Sequence, residues 1–185
     1  MLNNMITREK KLAYLAGVID SDGSISISKS YLQRKEYRCP RFVLEITVTN
    51  TNEDMMKWLI NNFEGSYHKR KIPTNFSKID GRIIKSKRII YGWKVTSKRA
   101  LPILKEIEIY LIAKKRQAQL AIEFQENIFN RDTVSVKAGK GISHYLSNKE
   151  IEKRTWYSET IKNLNLGKIS LAETKRSDTL TRVKR

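Results

Sequence analysis

An antiparallel sheet with helices on one face, an α+β domain, is the fold class this sequence predicts. Three observations carry it. The chain opens on a period-3.6 segment, two pairs of alternating runs follow, and the elements succeed one another as α-β-β-α-β-β-α-α. The helix-strand-strand unit occurs twice, with no sequence repeat between its copies.

Leu12, Leu15, Ala16 and Ile19 line one side of a helix predicted from about Arg8, with Thr7 as its N-cap. It runs into Asp20-Ser21-Asp22-Gly23, where Gly23 suits a helix end. Ile25 and Ile27 then alternate with Ser24, Ser26, Ser28 and Ser30. After a polar connection, Phe42, Leu44, Ile46 and Val48 alternate with Arg41, Val43, Glu45, Thr47 and Thr49. Together these runs read as a hairpin, apolar on one face and hydrogen-bonding on the other. Asn52-Glu53-Asp54 starts a short helix that ends near Gly65. A second strand pair spans about 66–72 and 86–96, with Ile89, Tyr91, Trp93 and Val95 as its apolar face and a loop containing Pro73, Asp80 and Gly81. A helix over about 98–107, interrupted near Pro102, precedes a longer one over about 110–129. Residues 1–130 form the expected domain. Residues 131–185 form a C-terminal extension: a loop, one or two short helices and a mobile basic tail.

Composition narrows the function classes. The chain has 185 residues and a mass of 21.6 kDa, the size of one domain with or without an appendage. Lys and Arg number 37 against 19 Asp and Glu, a net charge of +18. Hydrophobic residues at 39% suffice for a core and exclude a wholly disordered basic tail. No run approaches the roughly 20 apolar residues of a membrane span, and the N-terminus lacks the pattern of a secretory signal. Cys39 is single, which excludes an internal disulfide and a cysteine metal site. The expectation is an intracellular protein, cytoplasmic or organellar, without a membrane role, whose surface favours a polyanion.

The residues Leu15-Ala16-Gly17-Val18-Ile19-Asp20-Ser21-Asp22-Gly23 carry the most specific signal. They resemble the motif that names the LAGLIDADG homing endonucleases, departing from it at Val18 and Ser21. The hairpin that follows and the α-β-β-α-β-β-α order match that family's fold, a saddle-shaped antiparallel sheet. The resemblance covers about Arg8 to Glu126.

Elementary chemistry agrees with the resemblance. Ala16 and Gly17 are small enough for two such helices to pack closely. Their paired C-terminal ends carry partial negative charge, and carbonyls with Asp20 or Asp22 make an all-oxygen site for Mg²⁺ or another divalent ion such as Mn²⁺. Without a cation, two facing carboxylates repel. The resemblance assigns the metal to Asp22 and the Ser21 carbonyl, leaving Asp20 a hydrogen bond near the helix end.

The single motif copy implies, by resemblance, a homodimer. Leu12, Leu15, Ala16, Val18 and Ile19 are then the candidate interface, and the target is near-palindromic. By the same resemblance Asn50 organises solvent and Lys114 supplies charge, with Lys115 and Arg116 as rival bases. On the sheet, Ser26, Ser28, Ser30, Arg41, Glu45 and Thr47 of the first hairpin are candidate base readers. Lys69, Lys71, Lys94 and Thr96 of the second are their counterparts, joined by Arg88. Arg70, Lys78, Lys85 and Lys87 suit phosphates, which position without specifying. His68 and His144 have no ligand partners at a recognisable spacing.

The function implied is intron-encoded, metal-dependent, site-specific cleavage of double-stranded DNA. The same fold and charge also serve an RNA maturase acting on its host intron, or a non-catalytic DNA-binding regulator.

Overall fold

The computed structural model describes residues 6–33, 38–71, 75–76, 83–84, 89–128, 132–138 and 141–169. Helix α1 (Arg8–Asp22) leads into strands β1 (Gly23–Gln33) and β2 (Arg38–Asn50), then α2 (Glu53–Phe63) and β3 (Ser66–Lys71). Two short strands, β4 (Asn75–Phe76) and β5 (Ile83–Ile84), pair with each other before β6 (Ile89–Thr96). Helix α3 (Ser97–Ile107), a 3₁₀ turn (Glu108–Tyr110) and α4 (Lys115–Asn127) follow. The hairpin β7 (Thr133–Ala138) and β8 (Gly141–Leu146) and helix α5 (Asn148–Asn165) complete the order.

The main sheet is antiparallel, ordered β1-β2-β6-β3. Its inner face is the predicted alternation: Ile25, Ile27, Phe42, Leu44, Ile46, Val48, Trp93 and Val95 are all buried. The helices supply the other half of the core through Leu15, Ile19, Met56, Leu59, Leu104, Ile107, Leu120 and Phe124. Predicted caps are in place, since the Thr7 hydroxyl accepts from the Lys10 amide at 3.4 Å and the Asn52 side chain from the Met55 amide at 3.0 Å.

Two glycines are required by their surroundings. Gly23 ends α1 as the sequence predicts, with an extended backbone (φ −94°) and its amide donating to the Ile19 and Val18 carbonyls. A Cβ there would lie 2.6 Å from the Ile19 Cα, and only glycine lets β1 leave α1 so tightly. Gly65 combines φ +106° with a Lys94 carbonyl 2.7 Å from any added Cβ.

Other differences from the sequence reading have local causes. Pro102 does not interrupt α3; losing one N–H donor and keeping a helical φ leaves the helix continuous. The long final helix expected over about 110–129 begins only at Lys115, after the 3₁₀ turn and the segment Leu111–Lys114. The expected loop after residue 131 is the β7–β8 hairpin, and the expected short helices are one 18-residue helix. Pro73, Lys78, Asp80, Gly81, Lys85, Lys87, Arg88 and the basic tail lie outside the described residues.

Helix α5 is part of the core. Tyr157 and Ile161 are buried with the residues above, and the Tyr157 hydroxyl donates to Glu123 on α4 at 2.7 Å. The helix also covers the free edge of β1: Ser158 Oγ donates to the Ile27 carbonyl at 2.6 Å and Asn165 Nδ2 to the Ile25 carbonyl at 2.9 Å. An edge strand with open carbonyls invites pairing with another chain, and side-chain donors from α5 prevent it. Near its start, Arg154 Nε reaches Glu150 at 2.7 Å, both buried, and a second guanidinium nitrogen donates to the Ile128 carbonyl.

Ile161→Ala should therefore destabilise the protein by about 2–5 kcal/mol, read by urea unfolding. A loss under about 0.5 kcal/mol would show that α5 only decorates the domain.

Candidate functional site

The motif occupies the C-terminal half of α1 and ends where α1, β2 and α4 meet. Its two carboxylates have different partners. Asp20 turns toward the start of α4, where it accepts from the backbone amides of Ile112 at 2.8 Å, Ala113 at 3.2 Å and Lys114 at 2.9 Å. These donors precede the first turn of α4 and have no helical acceptor, so an anion is favourable there. Asp20 thus holds the hydrogen-bonding place near a helix end that the sequence suggested. Asp22 remains exposed, its Oδ2 accepting from Asn50 Nδ2 at 2.8 Å. The Asn50 Oδ1 in turn accepts from the Asn52 backbone amide at 3.0 Å, which fixes the side-chain amide's orientation.

Lys114 closes the arrangement from the other side. Its Nζ donates to the carbonyls of Ile19 at 2.8 Å and Asp20 at 2.6 Å, placing a cation on the negative end of α1. It is half-buried, whereas Lys115 is exposed. Asp22, Asn50 and Lys114, chosen from sequence far apart, are brought to one end of one helix. Ser21 Oγ donates to the Val18 carbonyl at 3.3 Å. Among the described residues no group of three or more His, Cys, Asp or Glu side chains gathers as a metal cluster.

The helix itself corrects one expectation. Leu12, Leu15, Ala16, Val18 and Ile19 are buried in the chain's own core, so they are not available to a second copy. The side left open carries Lys10, Ala13, Tyr14, Gly17 and Ser21, a stripe at helical spacing. A Cβ on Gly17 would meet nothing within 4 Å. Beyond the C-terminal end of that stripe stands Ile112, 88% exposed.

The outer face of the sheet gathers most of the predicted readers. Register places Ser26 opposite Glu45, Ser30 opposite Arg41, Thr47 opposite Lys94, and Thr96 opposite Glu45. Glu45 pairs with Lys94 Nζ at 2.7 Å and accepts from Ser28 Oγ at 3.0 Å. Lys69 belongs elsewhere. Ser66 is opposite Lys94 and Lys69 opposite Tyr91, so even-numbered residues of β3 share the outer face and Lys69 takes the helix side, its Nζ 5.5 Å from the Tyr91 ring centre. Lys71, opposite Ile89, has the same register parity as Lys69. The outer residues of β3 are Ser66, His68 and Arg70. His68, which sequence reading set aside, lies against Gly92; strand parity with Arg70 was the signal that could have found it.

At the margin of the sheet, the Tyr67 hydroxyl donates to Glu53 at 3.0 Å, joining β3 to the first turn of α2. This hydrogen bond holds the Glu53 carboxyl below its usual value, while burial, then the Glu53 contact, push the Tyr67 phenol up to about 12.

The two motif carboxylates should separate in stability measurements. Asp20→Asn loses a charge-assisted cap and should cost about 1 kcal/mol of unfolding free energy. Asp22→Asn removes a negative charge from a helix C-terminus and should be neutral or slightly stabilising. Equal losses in urea unfolding would refute this division of roles.

The family described as LAGLIDADG endonuclease matches residues 15–93. No curated protein matches the chain. Among solved structures, the homing endonuclease I-CvuI in complex with its target is similar, with a TM-score of 0.57, 18% identity, and coverage of 91% of this chain and 92% of that one. The archaeal intron-encoded homing endonuclease I-Vdi141I complexed with DNA gives 0.58 and 15%, over 85% and 86% of the two chains. I-SmaMI gives 0.55 and 14%, over 86% of this chain and 46% of that one. At these identities the structural likeness is one of fold. The motif on α1, the four-stranded antiparallel sheet and the matched segment agree: this chain has the fold of the LAGLIDADG homing endonucleases, and its residues 15–93 match the model of that family.

Proposed function

We propose that the chain is a site-specific double-strand DNA homing endonuclease, encoded within an intron. It acts as a homodimer on a long, near-palindromic target by divalent-metal-dependent phosphodiester hydrolysis. The observation that carries this reading is Asp22: an exposed carboxylate at the end of α1, aligned by Asn50 and next to an open small-residue stripe. The net charge of +18 and the polar outer face of the sheet support a DNA partner. Similar folds have been solved with DNA targets, in one case in the presence of Mg and in another of Ca.

The residues fit a hard divalent cation. Asp22 and the Ser21 carbonyl offer oxygen donors, and a second copy and a DNA phosphate would supply further oxygens. Mg²⁺ or Mn²⁺ bound there supplies activation of water and offsets charge on the phosphate. The protein's own part is positioning. The amide of Asn50 holds the Asp22 carboxylate and stands where it can order a water beside it. Lys114, already fixed on the end of α1, contributes a preorganised positive charge near the phosphate oxygens. Such a protein acts where its host DNA lies, in the cytoplasm or an organelle.

The dimer places α1 against α1. Gly17 and Ala13 permit backbone approach, as small residues do at close helix crossings. A Cβ at Gly17 meets nothing within 4 Å and leucine improves helix propensity, so Gly17→Leu should fold. In sedimentation the wild type should run at twice the 21.6 kDa chain mass and Gly17→Leu at that mass. A dimeric Gly17→Leu would refute this interface.

The deciding experiment is cleavage of the intron-less insertion site as linear duplex. Wild type should cut it with Mg²⁺ and not with EDTA. Asp22→Asn should lose cutting while binding the same duplex within about threefold, because the lost group touches the reaction rather than the bases. Normal cutting by Asp22→Asn would overturn the assignment. Tight binding by wild type without cutting would point to a regulator, or to a maturase tested by splicing of the host intron RNA.

A further inference from the structure

Four strands make the outer face, and in all of them there is one acidic residue, Glu45. A surface selected only to hold phosphates would not carry a carboxylate near its centre, since it repels the polyanion. The carboxylate is also held in place. Lys94 on β6 and Ser28 on β1 reach it from the strands on either side, both at Oε1. Glu45 sits opposite Ser26 in one ladder and Thr96 in the other, so both contacts are diagonal cross-strand pairs. Lys94 neutralises the local charge. Oε2 takes neither contact, and the side chain keeps 19% exposure, enough to present an acceptor outward.

An oriented, charge-compensated acceptor has a defined use on DNA. In the major groove a carboxylate accepts from the exocyclic amino group of cytosine, and it meets only acceptors on guanine. We propose, resting on the endonuclease reading above, that Glu45 is a specificity-determining residue: it selects cytosine at one position in each half of the target. Lys94 is its positioning residue. Lys94 keeps the carboxylate compatible with DNA and adds affinity that depends little on sequence.

The test is selection from a randomised duplex library by binding in EDTA, followed by sequencing, for wild type, Glu45→Gln and Lys94→Ala. Wild type should enrich cytosine at one position per half-site, by on the order of tenfold over the other bases. Glu45→Gln keeps an acceptor and gains a donor, so the preference at that position should move to adenine while all other positions stay the same. Lys94→Ala should weaken binding to every sequence and retain the cytosine. Thermal unfolding of each variant confirms that it folds.

Identical base preferences for wild type and Glu45→Gln would overturn the proposal and leave the endonuclease reading intact, because a target would still have been selected. So would equal effects of the two substitutions, which would mark the pair as merely structural. A wild type that enriches no sequence would sink both readings.

Discussion

The site depends on an exchange of charges between two helix ends. A helix C-terminus disfavours a carboxylate, yet α1 ends in two. Asp20 leaves its own helix end and takes three amides ahead of α4, where an anion is stabilised. Lys114 reaches back from the start of α4 onto the carbonyls that end α1. Each helix is thus capped by a side chain of the other. One consequence is rigidity, since α1 and α4 cannot rotate apart without breaking five hydrogen bonds. The other is that Asp22 is left exposed at that end, held by an amide from the sheet.

The rest of the fold serves that placement. The tight turn at Gly23 sends β1 directly off the end of α1, so the helix end and the sheet's outer face stay in fixed relation. Helix α5 bonds the free edge of β1 and closes the core with Tyr157 and Ile161. These contacts keep the helices on the apolar side of the sheet and off its polar side. The C-terminal segment therefore acts on the sheet's polar face indirectly, by holding its edge strand β1.

Much of this was legible because period and chemistry coincide. The hairpin alternation places Ile25, Leu44 and Ile46 inside, and the family resemblance names Asp22, Asn50 and Lys114, which the fold brings to one end of α1. Local patterns carried less information wherever tertiary contacts decide. Register is set between strands, so the sequence of β3 alone could not say whether Lys69 or Arg70 joins Lys94. The apolar residues of α1 suggested an interface, but a helix on a sheet spends that side on its own core and leaves the small residues open. The β7–β8 hairpin carries strand formers at Val134, Val136, Ile142 and Tyr145, and the loop reading gives the glycine at Gly141 more weight than their alternation. Pro102 shows the same limit, because a single lost donor costs less than the packing of α3 against the sheet returns.

The open stripe and the exposed carboxylate pull in opposite directions in the proposed dimer. Covering Tyr14, Gly17 and Ile112 favours pairing, and Gly17 lets the helices come close. Close approach also brings two copies of Asp22 together at paired negative helix ends, which is unfavourable. Lys114 reduces that penalty by neutralising each helix end within its own chain, and a bound cation removes more of it. Affinity between subunits and affinity for a divalent ion are then linked, each rising with the other, because both act on the same pair of charges.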